Sequence, residues 1–384
     1  MKNMPDNDHF IACTMPAGYL TRREMLTLLA LAGGGMLVGC AVNPVTGERQ
    51  LNFISPEQEL AVDKQYAPEQ ISRDYGKVQD MALQQYVAGV GRKIGAVSHR
   101  PKVPYSFNVV NANYDNAYAF PGGTICATRG ILLALESEAE LAALLGHEAG
   151  HVNARHTAQQ MSKQTLAGIA LLGANILLET NQINREAANR VLGLGGDAAE
   201  LLLARYSREH ERQADALGME YMCRAGYSPQ GMINLMDMLR SLNRREPTMI
   251  EQMRSSHPMS TERYNTMAHE ARTKYARYMS ASMNRERYMD ATARLRKLKP
   301  AIDKQKQGET ALIQGKYPES VALLNDALKL APDDYTGLLL MAKAKIAQQK
   351  HAAAIPYLDR AIAAYPGEPQ AERYRDDMKA ALGM

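Results

Sequence analysis

The stretch LLGHEAGHVNARH, Leu144–His156, decides the interpretation of this chain, because it places three histidines in a run otherwise rich in alanine and leucine. In a helix, residues four apart lie on one face, so His147 and His151 project their imidazoles to a common point. Glu148 lies about 100° further round the helix than His147. The stretch therefore predicts a helix whose histidines hold one metal ion, beside a carboxylate that acts on metal-bound water.

The residues around the motif support a helix with a close neighbour. Ser137 and Glu140 form a capping box at its start, and leucines follow at helical spacing. Gly146 and Gly150 each weaken a helix by about 1 kcal/mol relative to alanine. We therefore expect a second helix to pack against the backbone at these glycines and to carry a further metal ligand.

The pattern H-E-x-x-H on a helix is typical of zinc peptidases, whose catalytic site has three protein ligands and one water. The candidate for the third ligand lies in SREHERQADALGM, where Glu211 and Asp215 are four apart on one helical face. Glu211 can reach the metal, and Asp215 can orient a ligand histidine by accepting its second N–H. We expect one zinc ion per chain, bound by His147, His151 and Glu211.

The composition is that of an ordinary globular protein, with 384 residues, 46% hydrophobic residues and a net charge of +4. This length allows two domains. The chain has no tryptophan and only four phenylalanines, so it lacks the basic and aromatic pattern of a nucleic-acid reader. We expect no nucleic-acid partner.

The first forty residues predict a targeting segment. Arg22 and Arg23 precede the apolar run Met25–Val38, which is too short to span a bilayer. LVGC, which ends at Cys40, resembles a lipobox, in which the cysteine is lipidated and becomes the first residue of the mature protein. A buried structural cysteine is the alternative. The paired arginines leave twin-arginine export and general secretory export both open.

Lipidation at Cys40 predicts an exported, periplasmic protein with a lipid anchor, and Ala41 in the next position indicates the outer membrane. Cys126 and Cys223 would then lie in an oxidising compartment, where they either pair or stay buried in the core. The apolar run Leu166–Leu178 would cover only about two thirds of a bilayer as a helix. It predicts a core helix, with a segment lying on the membrane as the alternative.

Short stretches of alternating apolar and polar residues precede the metal helix. The stretches at residues 105–110, 116–120 and 124–128 predict three strands, and a Pro-Gly-Gly turn joins the last two. In peptidases of this kind an exposed edge strand commonly receives the substrate as an added strand. The sequence leaves open which strand is at the edge.

The C-terminal residues contain a repeat. The stretch ALKLAPDD is followed 34 residues later by the similar stretch AIAAYPGE. Ala327 and Pro332 thus correspond to Ala361 and Pro366. This period resembles that of tetratricopeptide repeats, which are antiparallel helix pairs that stack into a concave peptide-binding surface. The agreement with the consensus is incomplete, because a lysine and a histidine occupy two positions that are usually aromatic.

Taken together, the motifs resemble the gluzincin metallopeptidases of family forty-eight. The match covers residues 44 to about 263 and rests on NPVTGERQL, AYAFPGGTICATRGIL, LLGHEAGHVNARH, SREHERQAD and HPMSTER. The resemblance implies that His147, His151 and Glu211 bind zinc and that Glu148 is the general base. It also implies that His257, in SSHP, can cap the metal as a fourth ligand. A loop histidine that is merely exposed is the alternative.

The resemblance also implies an architecture. We expect a mainly α peptidase domain with a small β-sheet, of the zincin α+β type, followed by an α-helical tetratricopeptide-repeat domain. The expected parts are a signal peptide with a lipobox (1–40), a tether (41–55), the peptidase domain (56–270), connecting helices (271–300) and the repeats (301–384).

The function implied by the resemblance is a zinc-dependent endopeptidase of the cell envelope, acting in quality control or assembly of outer-membrane or periplasmic proteins. Its substrates would be unfolded or misassembled envelope proteins, and its repeats would select clients or bind an assembly machinery. The alternative is a chaperone or assembly factor that works through its repeats while the peptidase site stays latent. Arg263, Tyr206 and Asn116 are candidates for the donor that stabilises the oxyanion.

Overall fold

The structure is a computed structural model, and it describes residues 40–164, 206–242, 257 and 259–384. The signal peptide predicted before Cys40 and the apolar run Leu166–Leu178 lie outside the described residues. Within the described ranges, no helix is both long enough and apolar enough to cross a membrane.

The described part is mainly helical with two small sheets, which confirms the predicted fold class. The strands are β1 (Cys40–Val42), β2 (Arg49–Leu51), β3 (Ser106–Val110), β4 (Ala117–Ala119) and β5 (Thr124–Thr128). The helices before the repeats are α1 (Pro56–Arg73), α2 (Met81–Ala96), α3 (Arg129–Ala134), α4 (Glu138–Asn153), α5 (Arg208–Arg224), α6 (Gln230–Leu242), α7 (Thr261–Arg272), α8 (Arg285–Ala291) and α9 (Ala293–Lys297). The repeat helices are α10 (Lys299–Ile313), α11 (Tyr317–Leu330), α12 (Tyr335–Ala347), α13 (His351–Ala364) and α14 (Pro369–Ala381).

The segment predicted as a tether contains a β-hairpin. β1 and β2 pair antiparallel, with Cys40 opposite Leu51. The N–H of Phe53 donates to Oγ of Ser162 over 2.9 Å. The hairpin is therefore tied to the helical residues 156–164 that follow α4.

The second sheet has the strand order β3-β5-β4, with β3 parallel and β4 antiparallel to β5. The outer edge of β3 is covered, because the side-chain amide of Gln84 bonds both to the carbonyl and to the N–H of Val109. Among the strands that the structure describes, β4 forms the other edge. Its flanking residues bond inward, since the carbonyl of Asn116 accepts from β5 and the N–H of Phe120 donates toward β5.

This sheet separates two hydrophobic cores, because successive side chains of a strand point to opposite faces. Ala117 and Ala119 of β4 lie in the core formed with α2 and α4. Tyr118 and Phe120 lie in the core formed with the repeat helices, which includes Leu339 of α12. The sheet is therefore the middle of three layers, with the peptidase helices on one side and the repeats on the other.

The repeats consist of the antiparallel pairs α10–α11 and α12–α13, followed by α14. Helix α12, YTGLLLMAKAKIA, is buried along most of its length, as expected of a helix that is apolar all round. It packs between the sheet and the neighbouring repeat helices.

The two cysteines outside the targeting segment do not form a disulfide. Cys126 and Cys223 are both free thiols and both buried, and burial raises the pKa of each thiol above its ordinary value. Of the two alternatives left open by the sequence, the structure shows buried core cysteines.

Candidate metal centre

The metal helix α4 and the helix α5 cross at glycines. A Cβ atom added to Gly146 would lie 3.0 Å from the carbonyl oxygen of Gly218, and one added to Gly150 would lie 3.0 Å from that of Ala214. A Cβ atom on Gly218 would lie 2.8 Å from the main-chain nitrogen of His147. Only glycine allows this separation of the two backbones, and the close crossing brings the acidic residues of α5 to the histidines of α4.

Four buried side chains converge at the crossing. His147, His151, Glu211 and His257 each offer one ligand atom, and these atoms all lie within 4.8 Å of one another. Nε2 of His147 lies 3.1 Å from Nε2 of His151, and Oε1 of Glu211 lies 3.4 Å from the latter atom. Nδ1 of His257 lies 3.0 Å from Oε1 of Glu211 and 3.3 Å from Nε2 of His147.

Asp215 orients His147. Nδ1 of His147 lies 3.0 Å from Oδ1 of Asp215, so the ring proton is held on Nδ1 and the lone pair of Nε2 faces the cluster. Arg263 grips the same carboxylate with two N–H groups, over 2.6 and 2.7 Å. Its remaining terminal nitrogen lies 2.7 Å from Oε2 of Glu211, which leaves Oε1 of Glu211 to face the histidines.

His151 is oriented by a longer chain of hydrogen bonds. Nε2 of His156 lies 2.8 Å from Oε1 of Gln213, an atom that only accepts. His156 therefore carries its proton on Nε2, and its Nδ1 accepts from Nδ1 of His151 over 2.9 Å. This leaves the lone pair on Nε2 of His151. The ring of Tyr206 stacks on His151 with the ring centroids 3.9 Å apart.

The donor set fits a metal cation. The Nε2 atoms of His147 and His151 lie 3.1 Å apart, and their lone pairs face a common point. The ring proton of each histidine is held on its Nδ1 atom. Burial lowers the pKa of His151 far below its ordinary value, so this imidazole stays neutral, the form that binds metals. Two imidazole nitrogens and a carboxylate oxygen that converge at these separations form a donor set that could hold a metal ion.

Glu148 points into the same space without belonging to the four-ligand group. The side chain is buried, and Oε1 lies 3.6 Å from Nε2 of His257. Oε2 accepts no hydrogen bond from any residue that the structure describes. Burial raises the pKa of this carboxyl above its ordinary value, which suits a group that takes up a proton and gives it back.

The structure thus brings together all six residues predicted for the site from the sequence, and places Cys40 at the start of the β1–β2 hairpin. His257 is buried, unlike a merely exposed loop histidine. Of the three oxyanion candidates, Arg263 is engaged with Asp215 and Glu211. The hydroxyl of Tyr206 hydrogen-bonds to Thr157, and Asn116 directly precedes the edge strand β4.

His156 and Gln213 are the residues that sequence reasoning missed. His156 is part of the motif stretch but has no spacing relation to the metal face, and Gln213 is an ordinary polar residue of α5. The only available signal was a second histidine soon after H-E-x-x-H, because a ligand histidine needs a partner for its other nitrogen.

Comparison with known proteins agrees with this geometry. Residues 81–271 match the model of peptidase family M48, and residues 311–375 match a tetratricopeptide-repeat model. Residues 81–271 are a peptidase family M48 domain. The matches confirm the predicted family, the metallopeptidase class and the repeats.

Several curated relatives of this chain are proteases. The beta-barrel assembly-enhancing protease of Yersinia pestis is 27% identical over 366 residues, which are 87% of this chain and 73% of that protein. The protein of the same name from Escherichia coli K12 is 27% identical over 199 residues, 51% of this chain and 40% of that protein. The mitochondrial metalloendopeptidase OMA1 of Schizosaccharomyces pombe is 27% identical over 242 residues, 61% of this chain and 67% of that protein. These names support a protease rather than a chaperone with a latent site.

Proposed function

We propose that this M48 protein is a zinc-dependent endopeptidase of the cell envelope that cleaves unfolded or misassembled outer-membrane or periplasmic proteins. The observation that carries the proposal is the buried convergence of His147, His151 and Glu211 beside Glu148. Relatives named beta-barrel assembly-enhancing proteases support the class of substrate.

The separations between the ligand atoms favour zinc. Zinc binds histidine nitrogen and carboxylate oxygen at about 2.0–2.2 Å in tetrahedral geometry, so two ligand atoms on one ion lie about 3.3–3.5 Å apart. The observed separations of 3.0, 3.1, 3.3 and 3.4 Å among Nε2 of His147, Nε2 of His151, Oε1 of Glu211 and Nδ1 of His257 lie close to this range. The set of nitrogen and oxygen donors is also the one that zinc prefers.

The roles of the side chains follow from their contacts. Bound zinc would polarise the scissile carbonyl and lower the pKa of a bound water to about 7. Glu148, whose Oε2 is buried without a partner among the described residues, takes a proton from the attacking water and then donates it to the leaving amine. Asp215 and His156 hold the two ligand histidines in the tautomers that the site requires.

The edge strand β4 is the proposed position of the substrate. In an antiparallel ladder the main-chain groups of successive residues point alternately to the two sides. Since Asn116 and Phe120 bond toward β5, the main-chain N–H and C=O groups of Ala117 and Ala119 point away from β5. An extended client adds there as a fourth strand, which favours unfolded segments of any sequence.

His257 is proposed as a fourth zinc ligand in the resting enzyme. Its side chain is buried, and Nδ1 lies 3.0 Å from Oε1 of Glu211 and 3.3 Å from Nε2 of His147. With zinc bound, a nitrogen in that position would take the place of the catalytic water, so His257 would have to move before cleavage begins.

Anchoring and partners complete the proposal. LVGC supports lipidation at Cys40, and Ala41 supports outer-membrane sorting. Assembly machinery would bind through the repeats on α11 and α13, which each bury only a narrow stripe and leave their remaining faces open.

The test is proteolysis of a denatured outer-membrane β-barrel protein by the purified full chain. We expect wild type to cleave it, 1,10-phenanthroline to stop cleavage and added zinc to restore it. Glu148→Gln should retain the metal and lose at least about 100-fold in rate, because it removes the base and no ligand. Cleavage by Glu148→Gln at the wild-type rate would contradict the mechanism. A fully metallated wild type that prevents aggregation of the substrate without cutting it would favour the chaperone alternative.

A further inference from the structure

The inner helices of the repeats face the peptidase domain. These are α10, α12 and α14, the first helix of each pair and the helix that follows the pairs. The polar contacts across this boundary include Glu309 with Tyr75, Lys306 with Asp115, Asp334 and Gln305 with Arg129, Thr336 with Asn111, and Glu368 and Gln370 with Ser72. The surface that a repeat array ordinarily offers to a peptide is therefore occupied by the protein's own peptidase domain.

Two of these contacts hold the loop of residues 111–116, which leads directly into β4. The hydroxyl of Thr336, in the first turn of α12, donates to the carbonyl oxygen of Asn111 over 3.2 Å. Nζ of Lys306, on α10, lies 2.7 Å from Oδ2 of Asp115. Asp115 is buried, so Lys306 supplies the counter-charge for a carboxylate that is largely removed from water.

The centre of the loop is held through a buried arginine. Arg129 is only 3% exposed, and its guanidinium donates twice to Oδ1 of Asn113, over 2.9 and 2.7 Å. The same group pairs with Asp334 over 2.7 Å and donates to Oε1 of Gln305 over 2.6 Å. A buried cation is costly without such partners, and here two of them belong to the repeats and one to the loop.

The loop also lies directly on the backbone beneath it. A Cβ atom at Gly130 would come within 2.3 Å of the carbonyl oxygen of Asn113. On the far side, Tyr118 and Phe120 of β4 enter the core that contains α12. Both the loop and the strand are therefore fixed between the peptidase core and the repeats.

We propose that the repeats position the substrate-binding edge of the peptidase, and that Lys306, Asp334 and Thr336 are its positioning residues. This inference rests on the proposed function, in which the client pairs with β4. β4 has three residues, and among the residues that the structure describes it bonds to a partner strand on one side only, so its order depends on what holds its ends. A fixed edge aligns the client before cleavage and spares the cost of ordering it on binding.

The test uses the full-length, zinc-loaded protein and the substitution Lys306→Met. We expect deuterium uptake in residues 112–121 to rise while uptake in the central strand β5 stays unchanged. Cleavage of denatured casein should fall by about three- to tenfold in kcat/KM, mostly through KM, because alignment of the substrate is lost. Zinc content should stay at the wild-type level. Lys306→Arg keeps the positive charge, so the deuterium uptake in residues 112–121 and the KM should both stay at their wild-type values.

The matched control is Lys304→Met, on the same helix and without an ion pair to the loop. Unchanged uptake in residues 112–121 with Lys306→Met would overturn the inference, as would an equal loss of activity in the control. The uptake measurement needs no catalysis. If wild type cleaves nothing, the proposed function fails while uptake still decides whether the repeats hold the edge.

Discussion

Nδ1 of His147 lies 3.0 Å from Oδ1 of Asp215, and the same carboxylate is gripped by two N–H groups of Arg263. Side chains from three different helices thus fix the tautomer of His147, one of the proposed metal ligands. Burial would by itself lower the pKa of the Arg263 guanidinium, but the bonds to Asp215 raise it above its ordinary value. The carboxylate therefore always has a charged partner, and its orientation does not depend on the metal.

Asp215→Asn is expected to weaken zinc binding by about tenfold, because partners that orient a ligand histidine typically contribute 10–100-fold in metal affinity. The amide keeps the size of the side chain but loses the charge that faces His147 and Arg263. Competition with a chromophoric chelator measures the affinity. Glu209→Gln is the control, since Glu209 is an exposed acidic residue of the same helix. Equal zinc affinities of wild type and Asp215→Asn would show that Asp215 does not contribute to metal binding.

Gln213→Leu is expected to weaken zinc binding by several-fold while leaving the fold intact. Gln213 is the acceptor that fixes the proton of His156 on Nε2, and without it His156 can present an N–H to His151 and favour the wrong tautomer. The effect should be smaller than for Asp215→Asn because one neutral hydrogen bond contributes about 0.5–1.5 kcal/mol. Arg212→Leu, at the exposed neighbouring position, should leave the affinity unchanged. A Gln213→Leu protein that binds zinc as wild type does would contradict the relay.

The sequence predicted the parts of the site that depend on local periodicity. His147, His151, Glu211 and Asp215 lie on helices and at spacings of four, so one helical rule places each pair. Gly146 predicted a closely packed second helix, because glycine inside a helix is otherwise unfavourable. Strands at 105–110, 116–120 and 124–128 were also predicted, and the structure places them at 106–110, 117–119 and 124–128.

The contacts between distant parts of the chain could not be predicted. Arg129 pairs with Asp334, which is 205 positions further along the chain. The local sequence around either residue does not indicate this partner. The strand order places β4 at one edge of the sheet, and Gln84 covers the other edge at β3; both depend on tertiary packing. The hairpin in residues 41–55 was missed because its turn-rich sequence also fits an extended tether.

Asp334→Asn is expected to lower the free energy of unfolding by about 3 kcal/mol at pH 7, because it leaves Arg129 buried without its counter-ion. Burial would raise the pKa of Asp334, but the ion pair with Arg129 outweighs it and lowers the pKa below its ordinary value. The folded state then binds fewer protons than the unfolded state at acidic pH. The stabilisation is present above about pH 3.9, the ordinary value for Asp, and is lost as the pH falls further.

Thermal unfolding of both proteins from pH 7 to pH 3 measures this difference. The gap in Tm should stay constant between pH 7 and pH 5 and close below about pH 4. Asn is as good an N-cap as Asp, so the start of α12 is preserved. Asp333→Asn, at the exposed neighbouring position, should show no gap. A gap that persists undiminished at pH 3 would show that the charge of Asp334 is not its source.

Cys40→Ala is expected to abolish incorporation of radiolabelled fatty acid, because LVGC places the acceptor thiol at Cys40. The substitution should also move the protein from the outer-membrane fraction to the soluble periplasmic fraction. Cys126→Ala is the control, since that thiol is buried and should have no part in anchoring. Equal labelling of wild type and Cys40→Ala would remove the lipid anchor from the proposed function.

His257→Ala is expected to raise cleavage of an unfolded protein above a weak wild-type rate. Nδ1 of His257 lies 3.0 Å from Oε1 of Glu211 and 3.3 Å from Nε2 of His147, the distances at which the other ligands meet one another. A ligand there excludes the water from which Glu148 takes its proton. His257→Ala opens that position permanently, whereas wild type has to move the residue in each cycle.

The competing role for His257 is contact with the substrate or with the transition state, and it predicts the opposite result. In that role His257→Ala lowers kcat/KM at constant zinc content. Zinc has to be measured in every sample, because loss of the metal mimics this outcome, and His269→Ala, an exposed histidine of α7, controls for the loss of an imidazole. A fully metallated His257→Ala enzyme with raised kcat would support the cap, since removal of a competing ligand is expected to increase the rate at saturating substrate. The same enzyme with unchanged or reduced activity would exclude it.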